Sequence, residues 1–228
     1  MYLEGKVIMK LSKLLAAIGL TVALSGGASA ATIGGIEFPD GAASFADSVF
    51  SYTPGSGFSG SAPCQNSANA LGVPDFSSSG PDCNGYVSLG QGGTLILQFT
   101  DNALTTSGNS DADLHIFEIG PAVEAMMISI STNATDWIDL GTLSGQPTSI
   151  DIDGVAGVVT GTAYSYVRII DDASSGPGAG VFSGADIDAV GAISSTEAPP
   201  AVPLPASGVL LLGAFGAFAA AKRRKRSG

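Results

Sequence analysis

Between residues 31 and 195, hydrophobic and polar positions alternate at period two in a series of short runs. In Thr94-Leu95-Ile96-Leu97-Gln98-Phe99, the side chains of Leu95, Leu97 and Phe99 share one face, which is the spacing of a half-buried strand. Asp113 to Ile119 reads the same way, as does Ala125 to Ser131 with Met126, Ile128 and Ile130 inward. Asp136 to Leu140, Thr148 to Ile152, Tyr164 to Ile170 and Asp186 to Ile193 continue the series, and Ile33 to Phe38, Ser44 to Tyr52 and Tyr86 to Leu89 precede it. Turn signals separate the runs: Gly92-Gly93, Gly108-Asn109-Ser110, Gly120-Pro121, Ser144-Gly145 and Gly176-Pro177. Many short strands with Gly, Pro and Asp turns, and no long helical periodicity, predict an all-β antiparallel sandwich. Thr53 to Pro81 has no period and reads as a long loop.

The two ends break this pattern. Met9-Lys10-Leu11-Ser12-Lys13 is basic, Leu14 to Leu24 is apolar, and Ala28-Ser29-Ala30 is a small-residue cleavage site. Together they predict a signal peptide over 1–30, with a mature chain beginning near Ala31. Met9 opens a complete signal by itself, so residues 1–8 read as an upstream extension. At the other end, a Pro/Ala linker over 196–205 predicts an extended spacer. A C-terminal segment over 202–228 overlaps it: Val202-Pro203-Leu204-Pro205-Ala206, an apolar span over 207–221, then Lys222-Arg223-Arg224-Lys225-Arg226. The basic cluster resists translocation and the apolar span, a short transmembrane helix, halts in the bilayer. The β-sandwich domain occupies 31–195.

This tail resembles the PEP-CTERM class of bacterial surface signals in its VPLPA variant, with all three parts in order. The resemblance implies recognition by an exosortase-type membrane protease in a Gram-negative envelope, after transient insertion in the inner membrane. The cell surface or the extracellular matrix is then the destination. Leu204-Pro205-Ala206-Ser207-Gly208 also approximates the sortase motif, but Ser stands where that family has Thr, at the residue whose bond is cut. A plain membrane tether is the remaining alternative. The span is short against the ~20 residues a stable spanning helix needs, and a plain anchor has no use for the Pro pair.

Charge narrows the function classes. Arg168 is the one Lys or Arg between Ala31 and Ala221, against nineteen acidic residues, fifteen of them Asp. A domain this acidic lacks the cations that neutralise phosphates, which argues against nucleic acid as a partner. It suits solubility outside the cell and attracts divalent cations. Asp serves both as a turn former and as a calcium ligand. Cys64 and Cys83, nineteen apart in an exported chain, are expected to form one disulfide closing the aperiodic loop. A metal or redox pair finds no C-x-x-C, and the one histidine, His115, is far away in sequence.

Several runs carry a second resemblance: Ala70 to Asp75, Tyr86 to Gly90, Gly93 to Asn102, Asp113 to Glu118, Tyr166 to Asp171 and Ala185 to Val190. They resemble bacterial surface-exported domains related in outline to galactose-binding-like jelly rolls. The resemblance implies a jelly-roll sandwich without catalysis, with structural calcium between an early and a late strand. The candidate ligands are Asp101, Asp111 and Asp113 around one turn, with Asp186 and Asp188 from the last strand. Calcium wants six to eight oxygens, mostly carboxylate and carbonyl; the same Asp residues also serve as turn caps without an ion.

The remaining motifs carry less. Asp151-Ile152-Asp153-Gly154 starts like an EF-hand loop, but Thr162 stands where the closing Glu belongs. Gly55 to Gly60 matches G-x-G-x-x-G without a strand-to-helix context. No G-x-S-x-G elbow accompanies His115. Trp137, Tyr164 and Tyr166 offer a sugar-stacking face or ordinary packing, and Arg168 is expected in a structural ion pair. The expectation is a non-enzymatic, structural or adhesive surface protein, with a calcium-dependent contact to exopolysaccharide. The rival is a secreted polysaccharide-acting hydrolase.

Overall fold

The computed structural model describes residues 29–59, 64–79, 83–174 and 182–200. Most of the expected signal-peptide segment, with Ala28, and the expected sorting segment, with Val202, Pro203, Leu204, Pro205, Ala206 and the basic run from Lys222, lie outside the described residues. Among the described residues no helix is long and apolar enough to cross a membrane.

Alternation along the chain becomes two antiparallel sheets. One has five strands in the order β3 (Ser48–Thr53), β5 (Thr94–Gln98), β11 (Tyr166–Asp171), β8 (Met126–Ser131) and β9 (Ile138–Leu143). The other has four: β10 (Thr148–Ile150), β7 (Leu114–Ile119), β12 (Asp186–Ala192) and β4 (Val87–Ser88). Small pairs flank them, β1 (Ala31–Ile33) with β2 (Ile36–Phe38), and β6 (Asn102–Leu104) with β13 (Ser195–Glu197). Leu95 and Leu97, Ile128 and Ile130, and Val167 and Ile169 from the first sheet are buried in one cluster with Leu114, Ile116, Ile187 and Val190 from the second. The core therefore lies between the sheets, and the chain is all-β with a sandwich arrangement.

Local chemistry explains where the strands differ from the sequence pattern. Ile33 to Phe38 is a hairpin rather than one strand, because Gly34 and Gly35 turn the chain at φ +59° and +83°. The hairpin covers the other face of the four-stranded sheet, where Phe38, Phe45, Phe117 and Ala189 form a second apolar cluster. In β12 the pairing runs from Ile187 opposite Glu118 to Ala189 opposite Phe117, so Asp188 is the extra residue of a bulge. The bulge changes the phase of the strand, and cover on both faces, by the inter-sheet core and by the hairpin, accounts for burial along all seven of its residues. The stretch from Thr196, expected as linker, begins inside β13: Thr196 and Glu197 pair with Ala103 and Asn102. The disulfide between Cys64 and Cys83 is present, with Cα atoms 4.9 Å apart.

Candidate functional site

Antiparallel pairing of β10 with β7 sets Ile150 opposite Leu114, and the Asp113 N–H extends the ladder to the Ile150 carbonyl at 2.8 Å. Asp113, just before β7, is thereby brought beside Asp151 and Asp153, just after β10. One carboxylate oxygen from each lies within 4.8 Å of the other two, so this triad could hold a metal ion. The loop before β7 wraps around it. Buried Asp113 accepts the Ser107 N–H on Oδ1 at 2.9 Å and the Ile152 N–H on Oδ2 at 3.0 Å. Asp153 Oδ2 accepts the Gly108 N–H at 2.8 Å and the Ser107 hydroxyl at 3.0 Å. Asp151 Oδ1 accepts the Asp153 N–H at 2.8 Å, an Asx turn. All donors are oxygens, the set that hard divalent cations prefer.

Of the five expected calcium ligands, only Asp113 belongs to this triad. Because β12 runs antiparallel to β7, Asp186 stands opposite Ile119, at the far end of β7 from Asp113. Six residue steps of strand separate the two levels, roughly 20 Å. Asp188 is spent on the 75–76 loop, accepting the N–H groups of Asp75 at 3.0 Å and Phe76 at 3.4 Å. Burial pushes its carboxyl up to about 6, against these two hydrogen bonds. Asp101 lies beside Asp47, and burial followed by that neighbouring charge raises its pKa. Asp111 is exposed, its N–H donating to Asn109 Oδ1 at 2.6 Å. The two members of the triad missed by sequence reasoning are Asp151 and Asp153. Their Asp-x-Asp-Gly signal was visible, but the ladder that supplies the third carboxylate was not.

A second surface lies on the outer face of the five-stranded sheet. Register aligns Ser51, Ile96, Arg168, Ser129 and Asp139 in one row across it. The Arg168 guanidinium lies 4.5 Å above the Trp137 ring centre. It donates to Ser129 Oγ at 3.0 Å and pairs with Asp139 at 3.5 Å, so the expected structural ion pair is present. Asp139 is largely exposed, and the pair contributes little to stability. Alongside, Phe50 is 52% exposed and meets Tyr166 edge-on, with ring centres 5.3 Å apart. Met127 is exposed on the same sheet.

His115 is buried, shares a 3.0 Å hydrogen bond with Ser149 Oγ through Nδ1, and meets Phe38 edge-on at 6.2 Å. Burial lowers its pKa. Comparison of the chain with protein-family models, curated proteins and solved structures finds no match.

Proposed function

We propose that this is a non-enzymatic, exported jelly-roll protein of a bacterial envelope, which contacts extracellular polysaccharide through the outer face of its five-stranded sheet. The strand order supports the jelly roll. Of the eight strands β4, β5 and β7 to β12 in chain order, the four-stranded sheet uses the first, eighth, third and sixth. The five-stranded sheet uses the second, seventh, fourth and fifth, with β3 added at one edge. Two Greek keys folded together produce that alternation.

The observation that carries the binding role is the pairing of the exposed Phe50–Tyr166 contact with the Trp137–Arg168 stack on one sheet. Aromatic faces accept the apolar C–H faces of sugar rings, and the exposed Asp139 beside them supplies hydrogen-bond acceptors. Calcium at Asp113, Asp151 and Asp153 would staple the loop before β7 to the end of β10. The sorting segment places the domain outside the cell after processing by an exosortase-type protease.

Retention on a panel of acidic and neutral glycans tests the binding role. Wild-type protein is retained, and Phe50→Ala and Trp137→Ala each weaken retention with the fold intact. No retention on any glycan, with or without calcium, would leave a purely structural role. Intact mass of the protein recovered from cells and medium tests the sorting. Loss of both the signal peptide and the segment after Ala206 supports processing, whereas a mass retaining Lys222 to Gly228 identifies a membrane-tethered domain.

A further inference from the structure

Four carboxylates meet at the end of the sandwich opposite the Asp113 triad. Glu118 continues the inward phase of Leu114 and Ile116 on β7, and Asp171 continues that of Val167 and Ile169 on β11. Glu124 lies in the β7–β8 connection and Asp186 opens β12. All are buried: Glu118 and Glu124 are each 3% exposed, Asp186 5% and Asp171 0%. Such a group requires compensation, because burying a charge without a partner is costly.

Ordinary compensation is missing. Arg168 is the one Lys or Arg among the described residues, and it is engaged on the outer sheet face. Asp171 is satisfied, accepting the Ala185 N–H at 2.8 Å and the Gly92 N–H at 3.1 Å, and Asp186 Oδ1 accepts the Ser88 hydroxyl. Both carboxylate oxygens of Glu118 and Oε1 of Glu124, however, are buried without a hydrogen-bond partner. The Gln146 amide nearby donates to the carbonyls of Gly120 and Ala122, each at 3.1 Å, and offers Glu118 only a weak interaction that offsets part of the cost of its burial.

Oxygens of two of these carboxylates and one carbonyl face the space at Gly120. A Cβ placed there would stand 3.7 Å from Asp186 Oδ2, 3.9 Å from the Ala122 carbonyl and 4.0 Å from Glu118 Oε1. Glycine leaves that space open. We propose that Glu118, Glu124 and Asp186, with the Ala122 carbonyl, form a calcium site separate from the Asp113 triad, one whose ion draws together carboxylates that stand wider apart than the 4.8 Å of the triad and so ties the β7–β8 connection to the start of β12. The donors are carboxylate and carbonyl oxygens without nitrogen or sulfur, which selects a hard cation. An uneven set drawn from a strand, a loop and a second strand suits calcium better than the strict octahedron of magnesium. Burial, then the neighbouring acids, push Glu118 up to about 8, against the Gln146 amide, and Glu124 up to about 7, the mark of carboxylates placed together without a counter-charge.

The test is calorimetric titration of the chelated full-length chain with calcium, alongside thermal melts. The Asp151→Asn, Asp153→Asn variant, whose triad is disabled, is expected to bind one calcium and to melt at higher temperature with calcium than with chelator. Adding Glu118→Gln and Glu124→Gln is expected to weaken that remaining binding at least tenfold, while the chelated protein melts no lower than before because buried charge is removed. Excess magnesium is expected to compete poorly. If the triad-disabled variant binds no calcium, or if the two Gln changes leave its affinity intact, the site does not exist. The first of these measurements keeps both Glu residues, so a folding defect in the Gln variant cannot mask the result.

Discussion

The Tyr52 hydroxyl donates to the Ser88 carbonyl at 2.6 Å. Tyr52 lies on β3 and Ser88 on β4, each an edge strand of its sheet, so one hydrogen bond joins the two sheets along their open side. Tyr52→Phe leaves the ring in place and the carbonyl short of a donor. The expected cost is about 1–2 kcal/mol, seen as a lower denaturant midpoint with unchanged slope.

Tyr52 also predicts an alkaline signature. Burial pushes its phenol from 10.0 up to about 12. The folded state therefore favours the protonated phenol, while the unfolded chain ionises first. Stability is full below about pH 10 and is lost as pH rises toward 12. The Phe variant lacks this component, so its deficit against wild type should narrow across that window. Equilibrium unfolding at a series of pH values would show it; a constant deficit would contradict it.

Cys64 is buried, and its carbonyl accepts the Ser88 N–H at 2.7 Å, so the disulfide pins an aperiodic loop onto β4. Closing a loop of this length contributes roughly 3 kcal/mol in the chain-entropy model. Reduction, or paired Cys64→Ser and Cys83→Ser changes, should lower the melting temperature by several degrees without abolishing the sheet signal in circular dichroism.

At Gly191 the aromatic cluster under the N-terminal hairpin approaches β12 closely. A Cβ there would meet Phe38 Cε1 at 2.7 Å and Phe45 Cε1 at 2.9 Å. Those rings are 0% and 1% exposed, so neither has room to retreat. Gly191→Ala should cost about 1–3 kcal/mol through overpacking. Pairing it with Phe38→Leu should recover part of the loss, as a double-mutant cycle would measure.

The sheets were legible wherever one face met the core and the other met water. Leu95, Leu97, Val167 and Ile169 fall on the buried phase that alternation assigns. Short β6 and β13 carry no period that three residues can display, and the β12 bulge hides its phase behind seven buried positions. The acidic triad was legible only in part. Asp-x-Asp-Gly at 151–154 was visible, but Asp113 joins it through a strand register that sequence spacing does not encode. Glu118 left a clearer mark: a carboxylate on the apolar phase of Leu114 and Ile116.

Within the triad the three carboxylates differ in how far their oxygens are already committed to the backbone. Asp113 spends both oxygens on backbone N–H groups, from Ser107 and Ile152. Asp113→Ala strands two donors at a buried position and should cost about 2–4 kcal/mol with or without metal. Asp113→Asn retains one acceptor and should fall between. Asp151 accepts only a local turn N–H, so Asp151→Asn should cost well under 1 kcal/mol in chelator, in the range of exposed substitutions. With calcium the order changes: if the triad binds an ion, Asp151→Asn loses most of the calcium-dependent rise in melting temperature that this site supplies. Melts of the variants in chelator and in calcium separate the cases. An Asp151→Asn protein that responds to calcium as fully as wild type would assign the triad to turn formation alone.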